Sequence, residues 1–446
     1  MQKDRRLFTK NYKDIFLPLL VEQIFLTLIG NFNVFLFSLF NDELVAAIGI
    51  SDQLLNVLTM ITNIVVLGAS ILIIQNADRK RLYYIKSIFR ESVILNLIIA
   101  FLIVIAVFLF NKNLLNLMHT PKELLAETSI YIKIVSLSII FLAMTSLMLA
   151  TLRAFGFVKI AVRVSVANTI LVILGNSLIV LLNLGGIVYI AIATFLTRFL
   201  GMLITLSTLK KNIGDLFDIK EAKHIKLKGE ILSLGLPSAL EQISYNFSQT
   251  IITAIVASLG TLAVSSKIYA QTITSFTFSI GVAAATGGQI IIGEYLREKK
   301  FSKIIDFGML NVSKISLIAA GVNLVIAILG GYLTRIFTNN AEIISMVRII
   351  LFLQVLLDPM RVSNEILVSN LNLVKEVKYP VIVGVITTYA LVIPLAYISV
   401  KKLGLDLNAV WIVFIIDESL RRILFTKRFK EGKWIKLNEE NNGDEI

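Results

Sequence analysis

The sequence predicts an all-α membrane protein: twelve transmembrane helices in two parallel six-helix halves, related by a pseudo-two-fold axis along the membrane normal. Three observations predict it. Apolar runs of spanning length tile the chain, basic residues crowd onto alternate connections, and the second half repeats the first.

The runs come first. Of 446 residues 56% are hydrophobic and only 16% charged, too little polar surface to cover a soluble protein of this length. Stretches such as Ile94–Phe110 and Pro380–Val400 approach or exceed the ~18–20 residues that cross a bilayer core. Tiling the chain this way places spans at 15–38, 44–74, 92–110, 129–150, 164–182 and 187–207. A second set follows at 231–257, 263–293, 311–334, 343–371, 380–400 and 408–426. Several exceed the bilayer thickness, which implies tilt or extension beyond it.

The net charge is +13. With the N-terminus taken as cytoplasmic, the cytoplasmic arm, connections and tail carry 30 Lys and Arg and the opposite loops 5. That asymmetry is the positive-inside signature, and it supports an even number of helices with both termini cytoplasmic. It also accounts for the basic balance without nucleic acid, since no basic face is interleaved with aromatics. The first apolar stretch is too long for a cleavable signal peptide and no small-residue cleavage site follows it. There is no cysteine, which removes disulfides and thiolate chemistry. His119 and His224 fall in loops on opposite sides of the membrane, so no metal site and no bound cofactor are expected.

The repeat has an offset of about 219 residues. Pro18–Ile24 (PLLVEQI) lies over Pro237–Ile243 (PSALEQI), and Gly68–Arg81 over Gly287–Lys300. Between them Leu44…Gln53 matches Leu262…Gln271 with a one-residue slip. The halves are then 1–208 and 231–428, joined by a polar linker, 209–230, and followed by a polar cytoplasmic tail, 429–446. Six helices per half make the repeats parallel, and proteins so built place a binding site near the midplane between repeats.

An ionisable group at membrane depth costs roughly 2.5–3.5 kcal/mol or more, which makes each one a functional candidate. Lys133, Lys267 and Lys314 lie within a turn or two of span ends and read as snorkelling. Glu22 and Glu241 each follow a proline by four residues in the first helix of a half. Proline removes a backbone donor and can open a kink, leaving a carbonyl to coordinate a cation beside the carboxylate. The alternative is a packing motif kept by both repeats. Helix 10 carries Asp358-Pro359, Arg361 and Glu365 on one face. Helix 12 carries Asp417 and Glu418, each four residues before Arg421 and Arg422, a spacing that reads as self-pairing. In the first half the polar positions are amides, Asn31 and Asn33 on helix 1 and Asn168 and Asn176 on helix 5. Glu22 and Asn33 share a helical face. The amides can bond across the bundle or line a cavity.

Several passages carry a family likeness. They are Asn41–Gly49 (NDELVAAIG), Leu152–Gly156 (LRAFG), Asn183–Thr194 (NLGGIVYIAIAT), Gly235–Glu241 (GLPSALE) and Val410–Arg421 (VWIVFIIDESLR). In this order, over nearly the whole chain, they resemble the multidrug and toxic compound extrusion (MATE) transporters. The resemblance implies a secondary antiporter that exports amphipathic, usually cationic, organic compounds as Na⁺ or H⁺ runs inward. In NorM-type members a helix 7 Glu and a helix 10 Asp form the cation site, positions that fall here on Glu241 and Asp358. Other members use an Asp on helix 1 and an Asp on helix 5, positions that fall on Asn33 and Asn176, so the resemblance predicts coupling through the second half. Gln242 and Arg361 join Glu22, Asn33 and Asn176 as candidates for the cavity. A second departure is Leu371–Pro380 (LNLVKEVKYP), where many members carry an L-R-A-x-G-D passage.

The implied setting is the bacterial inner membrane, as a multi-pass monomer whose partners are a small organic substrate, the coupling ion and the lipid. The alternative reading is a flippase for a lipid-linked sugar or anionic lipid, which shares the two-half plan. It wants a basic cavity, whereas the candidates here are mostly acidic or neutral apart from Arg198, Arg348 and Arg361. An intramembrane enzyme lacks any supporting histidine, cysteine or nucleotide motif.

Overall fold

The computed structural model describes residues 12–38, 42–78, 82–117, 123–182, 186–214 and 227–435, with Thr120 and Leu216. The side chains of 29–38 and 42–47, with those of Leu117 and Val180, lie outside this description. Asn31 and Asn33 are therefore outside the described side chains, and His119 and His224 outside the described residues.

Twelve helices are present among the described residues. The first six are α1 (Tyr12–Ser38), α2 (Asp42–Asn76), α3 (Leu82–Leu117), α4 (Leu125–Ala154), α5 (Val158–Leu181) and α6 (Ile187–Asn212). The second six are α7 (Lys228–Ala257), α8 (Thr261–Arg297), α9 (Phe301–Arg335), α10 (Ala341–Leu373), α11 (Lys378–Lys402) and α12 (Leu407–Glu431). Every predicted span maps onto one of them. The helices outrun the apolar windows because their ends carry polar turns: α3 begins before its predicted span, and its first turns hold Lys86, Arg90 and Glu91.

Nine of the helices are long and apolar enough to cross a membrane among the described residues. Besides α1, the helices not among the nine are α7 and α12. They bear Glu241 and the Asp417–Arg422 cluster, so polarity is concentrated where the candidate site lies. By contrast α3 exposes Phe101, Leu102, Leu109 and Phe110, the surface expected of a helix that faces lipid.

Several helices are irregular or carry an internal proline. α4 is interrupted at Ser138, whose N–H reaches back three residues to the Val135 carbonyl at 2.9 Å, a tightened turn inside the span. α11 contains two π-helical turns, Thr388–Val392 and Ile398–Lys402. Pro394 follows the first and supplies no N–H to the ladder. The helix is unbroken through both Pro18 of α1 and Pro237 of α7.

The chain forms two compact units, and their boundaries fall inside α1 and α7. One unit includes Phe25–Ala239, while the other joins Asn11–Ile24 to Leu240–Ile446. In the first unit α7 crosses α2 on bare backbone, at Gly68 and Gly235. A Cβ built on Gly68 would lie 2.9 Å from the Ile231 carbonyl carbon and closer still to its oxygen. One on Gly235 would lie 2.8 Å from the Ile64 carbonyl carbon, again with the oxygen closer. Small residues permit this approach between membrane helices, where packing replaces the hydrophobic effect as the source of attraction. In the second unit Gly287, the repeat equivalent of Gly68, receives Tyr12, Ile15 and Leu19 of α1. Tyr12 also donates its hydroxyl to the Ala284 carbonyl at 3.2 Å. The repeat anchors thus mark equivalent surfaces, each taking the start of a helix from the other half of the sequence.

The C-terminal end of α12 is clasped within the second unit. Trp434 is 0% exposed, stacks on Phe429, meets Phe301 edge-on and donates its indole N–H to the Phe429 carbonyl. Arg428 grips Glu376 through two nitrogens at 2.8 and 3.2 Å and covers the Tyr379 ring. Trp434→Ala is expected to lower stability by about 3 kcal/mol or more. Thermal unfolding in detergent micelles checks this; an unchanged midpoint would show the clasp to be dispensable.

Candidate ion-coupling site

The second unit gathers ionisable side chains from α7, α10 and α12. Glu241 of α7 lies against Gly384 of α11. A Cβ there would stand 3.4 Å from its Oε1 and 3.7 Å from Arg421 Nη1, so the missing side chain makes room for both charges. Arg421 is anchored on every side. Its Nε donates to Thr387 Oγ1 at 2.8 Å and Asp417 Oδ1 at 3.0 Å, and its Nη2 to the Gly384 carbonyl at 3.1 Å and Thr388 Oγ1 at 2.6 Å. Thr388 opens the first π turn, and such turns commonly re-aim groups toward a working site.

Asp358 is buried on α10. Its Oδ2 accepts from Asn323 Nδ2 of α9 at 3.0 Å, and Asn323 Oδ1 accepts from Thr277 of α8 at 2.9 Å. Its Oδ1 is 3.8 Å from Arg361 Nη1. Pro359 beside it withholds the N–H that would close the helix onto Val355. Arg361 lies over Phe414 with 5.5 Å to the ring centroid. It pairs with Glu418 Oε1 at 3.6 Å, across to α12, rather than with Glu365 four residues on. Asp417 does pair with Arg421, as its spacing predicts. Glu418 does not follow its own spacing: its partners are Arg361 and Asn364, while Arg422 Nη1 lies 3.1 Å from Met360 Sδ.

Glu418 is the group that joins the cluster. It is within electrostatic reach of Glu241, Asp358, Glu365, Asp417 and Arg361. Five carboxylates thus share two arginines, Arg361 and Arg421. Among the described residues Glu241 and Glu365 form no ion pair. No three acidic or histidine side chains among them converge tightly enough to cage a metal ion.

The other candidates are distributed over both units. Glu22 is 1% exposed, on the part of α1 that belongs to the second unit. Gln242 is exposed. Asn176 is buried in the first unit, where its Oδ1 accepts from Thr194 at 3.2 Å. Lys267 departs from its snorkelling expectation. It is 5% exposed and donates to Thr253 Oγ1 at 3.0 Å and Gln271 Oε1 at 3.3 Å, two acceptors that hold the ammonium inside the bundle.

The first unit holds a charged network that amide counting overlooks. Arg198 of α6 donates to Ser138 Oγ at 2.9 Å, at the interruption of α4. Asp52 of α2 and Tyr131 of α4 are its electrostatic neighbours, and Tyr131 faces both Asp52 and Thr194. The sequence signal for it is an aspartate and an arginine, each alone inside an otherwise apolar span.

Two six-helix halves with ionisable groups buried along them define a polytopic membrane transporter fold. The chain belongs to the MatE family, whose model matches it twice, at 18–178 and 237–398, once for each half. Its relatives include the uncharacterized transporter YisQ of Bacillus subtilis, 28% identical over 94% of this chain and 93% of that protein. The probable multidrug resistance protein NorM of Thermotoga maritima is 23% identical over 94% of this chain and 92% of that protein. A crystal structure of a MATE protein in its straight conformation superposes with a TM-score of 0.85 at 19% identity, covering 97% of this chain and 100% of that one. The fold is therefore that of the MATE transporters.

Proposed function

We propose that this MATE transporter is a secondary antiporter of the bacterial inner membrane. Its termini are cytoplasmic, and it exports amphipathic, cationic organic compounds against inward Na⁺ or H⁺ movement. One observation supports the reading: Glu241 and Asp358, on different helices, share the neighbour Glu418 in a cluster of five carboxylates and two arginines. A small cation entering beside Glu241 relieves that repulsion, and the relief is available only while the cluster is assembled. Binding energy of this kind favours one conformation over another, which is what coupling requires. The likeness to a probable multidrug resistance protein supports the organic substrate. An anionic substrate finds less support, because Arg361 and Arg421 are already engaged by carboxylates and Arg198 lies near Asp52.

Glu241→Gln keeps the shape and removes the charge. In proteoliposomes it is expected to abolish efflux of ethidium driven by an imposed Na⁺ or H⁺ gradient, with the protein still inserted and monodisperse. Wild-type efflux by this variant would overturn the assignment, and running each gradient alone identifies the ion.

A further inference from the structure

Glu418 has the partners of a switch rather than of a structural ion pair. Its Oε1 stands 3.6 Å from Arg361 Nε, a long contact that is not a hydrogen bond. Its Oε2 accepts from Asn364 Nδ2 at 2.7 Å, and the same Nδ2 lies 2.8 Å from the Glu418 carbonyl oxygen. Both acceptors are oxygens, so the amide nitrogen must face Glu418, which fixes the orientation of Asn364. Asn364 is only 6% exposed, and its Oδ1, on the same amide plane, has no hydrogen-bond donor. A buried acceptor left without a donor next to a carboxylate cluster is a position a cation would satisfy.

Resting on the antiporter reading above, we propose that Glu418 is a third carboxylate of the coupling site, a positioning residue that exchanges its long contact with Arg361 for the coupling ion when that ion enters beside Glu241. The groups that face it are Glu241 from α7, Asp358, Arg361 and Glu365 from α10, and Asp417 from its own helix. Released from Glu418, Arg361 keeps Asp358 at 3.8 Å, so the guanidinium is not stranded. Arrival of the ion on α7 is thereby felt on α10 and α12 through one side chain.

The test is ethidium efflux from proteoliposomes at graded external Na⁺, and separately at graded pH, for wild type, Glu418→Gln, Glu418→Asp and Glu241→Gln. Glu418→Gln preserves the acceptor for Asn364 and loses the charge. It is expected to raise the half-saturating concentration of the driving ion by about tenfold or more. Ethidium affinity should stay unchanged, and Glu418→Asp should recover most of the loss. A residue with a purely structural role would lower the unfolding temperature and leave half-saturation where it is, which would overturn the proposal. If Glu418→Gln fails to fold, Glu418→Asp decides: an unshifted half-saturation overturns it. Ion-driven efflux by Glu241→Gln overturns the parent reading instead. A wild-type ion dependence in Glu418→Gln beside an inactive Glu241→Gln overturns only this one.

Discussion

Gly68→Val, or Gly235→Val, is expected to leave little correctly folded protein in the membrane. The new Cβ would press into the backbone carbonyl of Ile231 at Gly68, and into that of Ile64 at Gly235, closer than any two non-bonded heavy atoms can stand. A side chain in the way could turn aside; a carbonyl locked in a helix cannot. α2 and α7 must then move apart, and every pair packed along the crossing loosens with them. Overpacking of ordinary cores costs about 1–3 kcal/mol, and a backbone clash belongs at the upper end of that range or above it. Gly321→Ala on α9 is the control, since nothing lies within 4 Å of its Cβ position, and it should behave as wild type. Thermal unfolding and the monodisperse yield after detergent extraction measure both. A stable, active Gly68→Val would show that the crossing is not needed.

Arg198→Met is the second large effect. The substitution conserves bulk and removes the positive charge that stands against Asp52. Ser138 loses its donor at the interruption of α4, and of its two electrostatic neighbours Asp52 keeps Tyr131 alone. Removing the counter-charge of a carboxylate inside an apolar span costs on the order of 1–3 kcal/mol. Asp52→Asn in the same protein should return most of it. The double-mutant cycle is therefore the decisive form of the experiment. Strict additivity of the two changes would mean that the pair does not interact. Transport carries a further expectation. If the drive enters through the second half, the double variant should keep its dependence on the driving ion even where its overall rate falls.

These cases show where reading the chain succeeds. Apolar length locates a helix because the bilayer imposes it, so each of the twelve predicted spans falls on a helix, and the Gly68 and Gly287 anchors of the repeat correspond to real packing surfaces. The carboxylates of α7 and α10 were legible for a related reason: a charge in an apolar run is conspicuous. Partnership was legible only within a helix, as for Asp417 and Arg421. The four-residue spacing of Glu418 and Arg422 offers a pair within one helix, yet Arg361 and Asn364 from α10 take its place. Spacing gives the contacts a helix makes with itself and is silent about its neighbours. Lys267 failed for the same reason, since Thr253 on α7 caps it. The interruption at Ser138 is a backbone choice made under tertiary contact, without a proline or glycine at the point of departure, whereas the first π turn of α11 lies just before Pro394.

The placing of the start of α1 against α8 has a consequence for biogenesis. Tyr12 and its acceptor Ala284 are separated by 272 positions, which a ribosome covers in roughly 15–55 s. During that interval the opening turns of α1 have no native neighbour of this kind. Lipid or the insertion machinery must occupy that surface until α8 arrives. The amino-terminal half cannot therefore mature as a finished module while the rest is being made; α1 is settled only after α8 has been threaded.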